Sequence, residues 1–230
     1  MNVLRGHKLK SGDTRTSARK ARAPADKRAR ARGLVDAAEA AMVEASYHDI
    51  TMLEIARRAG LAKGTVYLYF PSKEALFLAV LTRKLEACFA TIEAGLPKAA
   101  RDVGNVAAVI ARGLLVQNGL LSLMGLLHSQ LEPGAGIEAV VEFKSYIKGR
   151  LETAGTAIDS GAALPDGSGR KLLLRGCALA IGLQQIASQP PEIAEAIGRR
   201  APELKGPPMS VESELIDSLS DMIRAVKSSS

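Results

Sequence analysis

The sequence predicts an all-α protein, with an N-terminal three-helix domain built around a helix-turn-helix and a larger helical domain behind it. Apolar residues make up 47% of the 230 positions and recur every three or four residues, without the alternation of strands. The breaks between periodic segments are marked by Gly and Pro. Aromatics are 3% and Trp is absent, so the core must be Leu, Ile, Val, Ala and Met. The dominance of Ala, Leu, Lys, Arg and Glu favours helices. The length suits one large domain or two small ones.

Residues 1–26 are Arg-, Lys-, Ser- and Ala-rich with almost nothing to bury, and are expected to form a flexible basic tail. Residues 1–32 carry eleven Lys and Arg against two Asp, a local charge of +9; the net charge is +7, so the remainder sums to −2. A basic end on a nearly neutral body suits a polyanionic partner. A first helix is expected over 27–46, where Leu34, Ala38, Ala41, Met42 and Ala45 make one stripe. Thr51 is then an N-cap with Glu54 three residues on, the capping-box pattern. The second helix buries Met52, Ile55, Ala56 and Ala59 and ends at Gly60. A third, over about 62–69, turns Val66 and Phe70 inward and stops at Pro71. Ser72 caps a fourth from about 73 to 94. Further helices are expected at 101–117, 119–131, 136–160, 169–189 and 210–227, with a short one at 191–200.

Thr51 to Lys73 is the informative unit: a short helix, a Gly-containing turn and a second short helix. Packing of its apolar residues leaves Lys63, Gly64, Thr65, Tyr67, Leu68 and Tyr69 on the opposite side. Such groups suit a DNA major groove, where Lys reaches base acceptors, Thr offers a hydroxyl and a methyl, and Tyr reaches phosphate. Gly64 lets the backbone approach closely. Lys73 begins the fourth helix, where an ammonium and free N–H groups together suit a phosphate.

The stretch ITMLEIARRAGLAKGTVYLYFPSKEALFLAVL, residues 50–81, resembles the DNA-binding domain of the TetR family of tetracycline-repressor-like regulators. The matching pieces are Thr51, EIARRAG, KGTVYLYF at 63–70 and SKEAL at 72–76; with the first helix the match covers about 27–81. The resemblance implies DNA contacts from Thr51, Lys63, Gly64, Thr65, Tyr67, Tyr69 and Lys73. One departure matters: members often have Ser where this chain has Ala62, and Ala cannot cap the recognition helix with a side chain.

The resemblance also implies a division into a DNA-binding domain at 27–75 and a ligand-binding and dimerisation domain at 76–230. It implies a homodimer through about 169–189 and 210–227 that reads a pseudo-palindromic double-stranded operator. Segment 169–189 is apolar nearly all round, and 210–227 carries Val211, Leu215, Leu219, Met222 and Val226 as one stripe suited to a partner helix. A repressor released by a small apolar or amphipathic ligand is the expected function. Met124, His128, Phe143, Tyr146, Ile147 and Gln184 are the candidate cavity residues, with plain core packing the alternative for each. His128, among Met124, Leu126, Leu127 and Leu131, reads as a core or cavity histidine.

A ligand-independent architectural DNA-binding protein shares the basic tail and is the competing reading. An enzyme carrying this module is disfavoured: 100–230 shows no paired carboxylates, nucleophile–base set or phosphate loop. No cofactor and no metal are expected. Cys88 and Cys177 read as buried small hydrophobes. No apolar run reaches the roughly 18 residues of a membrane span, and the basic N-terminus lacks a signal-peptide core, so a cytoplasmic protein with no membrane partner is expected.

Overall fold

The computed structural model describes residues 14–188, 191–204 and 209–229, and these form helices and turns with no strand. The helices are α1 (Thr14–Glu44), α2 (Met52–Arg58), α3 (Lys63–Val66), α4 (Lys73–Gly95), α5 (Val103–Leu115), α6 (Leu120–Leu126), α7 (Glu132–Ala135), α8 (Ile137–Ala162), α9 (Ser168–Ala187), α10 (Pro191–Arg200) and α11 (Val211–Ser228).

Of the expected tail, residues 1–13 lie outside the described residues, but from Thr14 the chain is already helical. The helix therefore starts well before residue 27, across Pro24. Ala, Arg and Lys favour helix intrinsically, and a search for an apolar stripe is blind to a helix without one.

α1, α2 and α3 form a head around Leu34, Ala38, Ala41, Ile50, Ile55, Ala56 and Val66, nearly all of them inaccessible to solvent. The Thr51 Oγ caps α2 by accepting from the Glu54 N–H at 3.2 Å. The reciprocal half of the capping box is absent, because the Glu54 carboxylate accepts from Arg58 instead. Arg58 also holds Glu44 with two bonds, clamping the end of α1 to α2.

α4 begins under a Ser72 cap and runs through the middle of the molecule, burying Leu76, Phe77, Val80, Leu81, Leu85, Cys88, Phe89 and Ile92. α5, α6, α7 and α8 pack on it beyond the head, and α9 and α11 lie outside them, α9 against α8 and α11 against α5 and α9. The expected helix at 119–131 is broken in two by a π-turn at Leu127–Leu131, then continued by α7. At the start of α9 no side chain of its own caps it; instead the buried Asp159 of α8 accepts from the Gly167 and Gly169 N–H groups at 2.8 and 2.6 Å. A Cβ at Gly169 would stand 2.3 Å from the Gly155 carbonyl, so only glycine permits this α8–α9 approach.

The α11 stripe is used within the chain. Leu215, Leu219 and Ile223 are buried against α5 and α9, while Val211, Met222 and Val226 are half-buried. A stripe read from sequence cannot say whose core it joins; here its own bundle takes it. Among the described residues no single helix is long and apolar enough to cross a membrane, and one helix pair that passes by composition bends by 71°.

Candidate functional site

The turn between α2 and α3 is fixed by backbone chemistry. Gly60 has φ +66°, its N–H reaches the Arg57 carbonyl at 3.2 Å, and the Leu61 N–H reaches the Ala56 carbonyl at 2.9 Å. This paired closure, with glycine at the left-handed position, ends α2 and aims α3 across it. α3 itself is one turn long and has no side-chain cap at Ala62, as the sequence implies. Turns continue it through Tyr67–Tyr69, with the Tyr69 and Phe70 N–H groups both reaching the Val66 carbonyl.

Val66 is fully buried and orients the unit; Lys63, Gly64, Tyr67 and Leu68 are exposed. Nothing stands within 4 Å of where a Gly64 Cβ would be, so that backbone is open to a close ligand. Leu68 is 75% exposed, a large apolar group on a face otherwise set with Lys and Tyr. Thr51 is exposed with its Oγ engaged in capping, and Thr65 is half-buried. Tyr69 is also half-buried and lines a groove with Phe70, Pro71, Ala75, Leu78 and Phe143, between the head and α8.

Lys73 is placed differently from expectation. Its ammonium donates to the Tyr47 and His48 carbonyls and lies over the Tyr47 ring, 4.3 Å from its centre. Burial lowers its pKa, while the nearby Glu74 and Asp49 carboxylates work the other way. Tyr47 in turn donates to Glu74 at 3.0 Å and meets Phe77 edge-on; burial first, and Glu74 second, raise the phenol pKa. Lys73 is thus a strut between α4 and the α1–α2 connection. No spacing rule signals this, because the acceptors are backbone carbonyls far back in the chain.

Behind the head lies a cavity of about 270 Å³, walled by Leu81, Leu85, Cys88 and Phe89 of α4, with Leu114, Leu127, Leu151, Leu173, Leu174 and Cys177 from the surrounding helices. Four of the six expected lining residues reach it: Met124, His128, Phe143 and Ile147. His128 is neither core nor enclosed. It stands exposed at the rim, 3.1 Å from Glu132, because the π-turn rotates it outward. Glu132 also pairs with Lys144, another rim residue; burial would raise the Glu132 pKa, but its bonds to Lys144 and His128 hold it below the ordinary value. Tyr146 is not part of this cavity's wall: it lines the groove with Tyr69 and Phe143 and donates to Glu86, which Arg150 also holds. Gln184 donates to Ser188 at 2.8 Å near the end of α9 and is not part of this cavity's wall.

Two sulfurs on the wall are in contact: the Cys177 thiol donates to the Met124 thioether at 3.6 Å. Burial pushes the Cys88 thiol up to about 12 and Cys177 up to about 11. Among the described residues no group of three or more His, Cys, Asp and Glu is placed to hold a metal ion.

Cavity and head are joined by two elements. One is α4, which walls the cavity and starts at the Lys73 strut. The other is α7, which follows the π-turn at the cavity rim; there a Cβ at Gly134 would stand 2.4 Å from the Glu74 side chain, so α7 lies directly on the residue that holds Tyr47.

Comparison with known proteins bears on the same two regions. The family model "Bacterial regulatory proteins, tetR family" matches residues 34–80, and "Tetracyclin repressor-like, C-terminal domain" matches 82–228. The fatty acid metabolism regulator protein of Bacillus subtilis is 27% identical over 118 residues, 51% of this chain and 60% of that protein. The transcriptional activator FasR of Mycolicibacterium smegmatis is 43% identical over 83 residues, 36% of this chain and 35% of that one. The chain thus spans less than two thirds of the length of these curated relatives. Among solved structures, a TetR transcriptional regulator from Rhodococcus sp. RHA1 superposes with a TM-score of 0.52 at 25% identity, covering 87% of this chain and 98% of that one. FadR from Bacillus subtilis, in complex with stearoyl-CoA, gives 0.50 at 18% identity over 83% and 96%, a likeness of fold. With both halves matched, the chain belongs to the TetR family of bacterial regulatory proteins.

Proposed function

We propose that this regulator is a homodimeric repressor that lets go of a pseudo-palindromic operator when a small apolar or amphipathic ligand enters the α4-walled cavity. The observation that carries the reading is that one helix, α4, both lines the cavity and begins at the head. A ligand pressing on Leu81, Leu85 or Phe89 acts on the element whose first turn, through Lys73 and Glu74, holds Tyr47 and the α1–α2 connection. Two heads bind adjacent major grooves only when their recognition helices are about 34–36 Å apart. A modest swing of α4 changes that spacing, and coupling of about 1–3 kcal/mol suffices for regulation.

Lys63, Gly64, Tyr67 and Leu68 are the base- and phosphate-facing set, with Thr51 and Thr65 at its margin. Lys73 acts mainly by holding the head together. The wall is aliphatic and sulfur-bearing, with Lys144 and His128 at the rim, which suits an apolar body with an anionic end. Acyl-CoA is the first class to test, by analogy with the stearoyl-CoA complex of FadR.

Selection from random duplex DNA is the first experiment, and an enriched palindrome is expected. A flat profile supports the ligand-independent architectural protein. Operator affinity is then measured with acyl-CoAs of graded chain length and with free fatty acids. Unchanged affinity across the panel removes ligand release.

A further inference from the structure

The chain has two cysteines and six methionines in 230 residues. Both cysteines and Met124 line the α4-walled cavity. They come from three different helices: Cys88 from α4, Met124 from α6 and Cys177 from α9. Packing alone gives no reason for this convergence, because the core offers many other buried positions to a small hydrophobe. Two of the sulfurs already touch, the Cys177 Sγ lying 3.6 Å from the Met124 Sδ. The third is near enough that a charge on Cys177 bears on Cys88. Neither cysteine is in a disulfide.

We propose that Cys88, Cys177 and Met124 form a binding site for one soft monovalent metal ion, Cu(I). The site goes beyond the reading above and needs neither the dimer nor the operator. Donor chemistry selects the ion. Thiolates and thioethers are soft ligands that favour Cu(I). Zn(II) asks for four donors drawn from Cys, His and carboxylate, and a thioether serves it poorly; among the described residues no three such donors are grouped. Cu(I) is satisfied by two or three sulfurs.

Spacing and surroundings agree with that choice. With metal–sulfur bonds of about 2.3 Å, the ligating sulfurs of a three- or four-coordinate ion stand about 3.8–4.0 Å apart. The Met124–Cys177 pair therefore needs to open only slightly. Binding converts one Cu(I) and two thiols into a bis-thiolate complex and two protons released to solvent, with no electron transferred. The complex carries one net negative charge, and the Lys144 ammonium on the same wall offsets it. Leu81, Leu85, Leu114 and Leu173 surround the sulfurs with aliphatic surface. That surface keeps water away, and water is what drives free Cu(I) to disproportionate. An ion held there ties α4 to α6 and α9.

The test titrates the reduced, full-length protein with Cu(I) under argon, in competition with the chromogenic Cu(I) chelator bicinchoninate, and records copper X-ray absorption on the product. The expected result is one ion per chain taken from the chelator, with sulfur alone in the first coordination shell. Cys177→Ser should weaken binding by more than about a hundredfold, the upper end of what outer-shell changes cost, and Met124→Leu by about tenfold. Met124→Leu conserves volume, so its fold should persist even if the serine variant is destabilised; thermal unfolding of both apo variants checks this. Failure to compete with the chelator, or nitrogen or oxygen in the copper shell, overturns the site. So does a folded Met124→Leu variant that binds as tightly as the parent. None of these outcomes touches the response of operator affinity to acyl-CoA, so the two readings fail separately.

Discussion

In the head, the residues proposed to meet DNA all lie between Thr51 and Lys73, and each is placed by a cap, a turn or one buried neighbour. The cavity gathers Leu81 and Cys88 of α4, Leu114 of α5, Met124 of α6, Ile147 of α8 and Cys177 of α9. One region is local in sequence and solid inside: Leu34, Ile55 and Val66 are completely enclosed. The other is assembled from distant segments around a void. A recognition surface needs a rigid platform with exposed tips, whereas a receptor needs space that its own walls leave unfilled. The two regions should therefore respond differently to the same kind of damage.

The largest expected difference is in stability. Ile55→Ala opens a hole in a filled core and should cost about 2–5 kcal/mol. Ile147→Ala, at a half-buried position already facing the cavity, should cost about 1 kcal/mol. Denaturant unfolding of both variants checks this, and equal losses would erase the contrast between solid head and hollow receptor. The next effect is on binding. Tyr67→Ala should weaken operator affinity by about 1–3 kcal/mol, roughly 5–150-fold, with the melting temperature unchanged because Tyr67 is exposed. Fluorescence anisotropy against labelled operator reads it, and a variant that binds normally would remove Tyr67 from the interface.

The same contrast explains what could be read from the sequence. Ser72, Thr51 and Gly60 act on neighbours one to five residues away, so the bounds of α2 and α4 and the left-handed turn were legible. So were the limits of α8, α9 and α11, where apolar periodicity stops at Gly or Pro. The start of α1 was not, because a helix rich in Arg and Ala leaves no stripe. Nor was Lys73, whose partners are carbonyls 25 and 26 positions back. Tyr146 left the expected cavity for Glu86, 60 positions away. The outward turn of His128 depends on a π-turn that no local composition announced. Identity and helix limits are local properties; side-chain direction is a tertiary one.

Lys73 gives a smaller effect that separates two roles. As a strut its loss leaves the Tyr47 and His48 carbonyls without a charged donor. Lys73→Met keeps the stem and removes the ammonium. It should lower stability by about 1–2 kcal/mol and move the slope of log affinity against log salt by less than about half a unit. A slope flatter by about one unit, with stability intact, would make Lys73 a phosphate contact and extend the DNA surface onto α4.

The smallest effect probes the cavity from inside. With its pKa raised to about 11, Cys177 is a poor nucleophile at neutral pH, and Cys88, raised to about 12, is poorer still. Alkylation by iodoacetamide should therefore rise about tenfold per pH unit through the mildly alkaline range, as the thiolate fraction does. Cys177 is half-buried and Cys88 buried, so Cys177 should react first. Filling the cavity with N-phenyl-1-naphthylamine should slow Cys177 a further few-fold, read by mass spectrometry of the labelled peptides. The slowing is the informative part. A Cys177 rate indifferent to the probe would mean that the void beside Met124 and Cys177 is not where apolar molecules go, and the hollow half of the comparison would then be loose packing in place of a receptor.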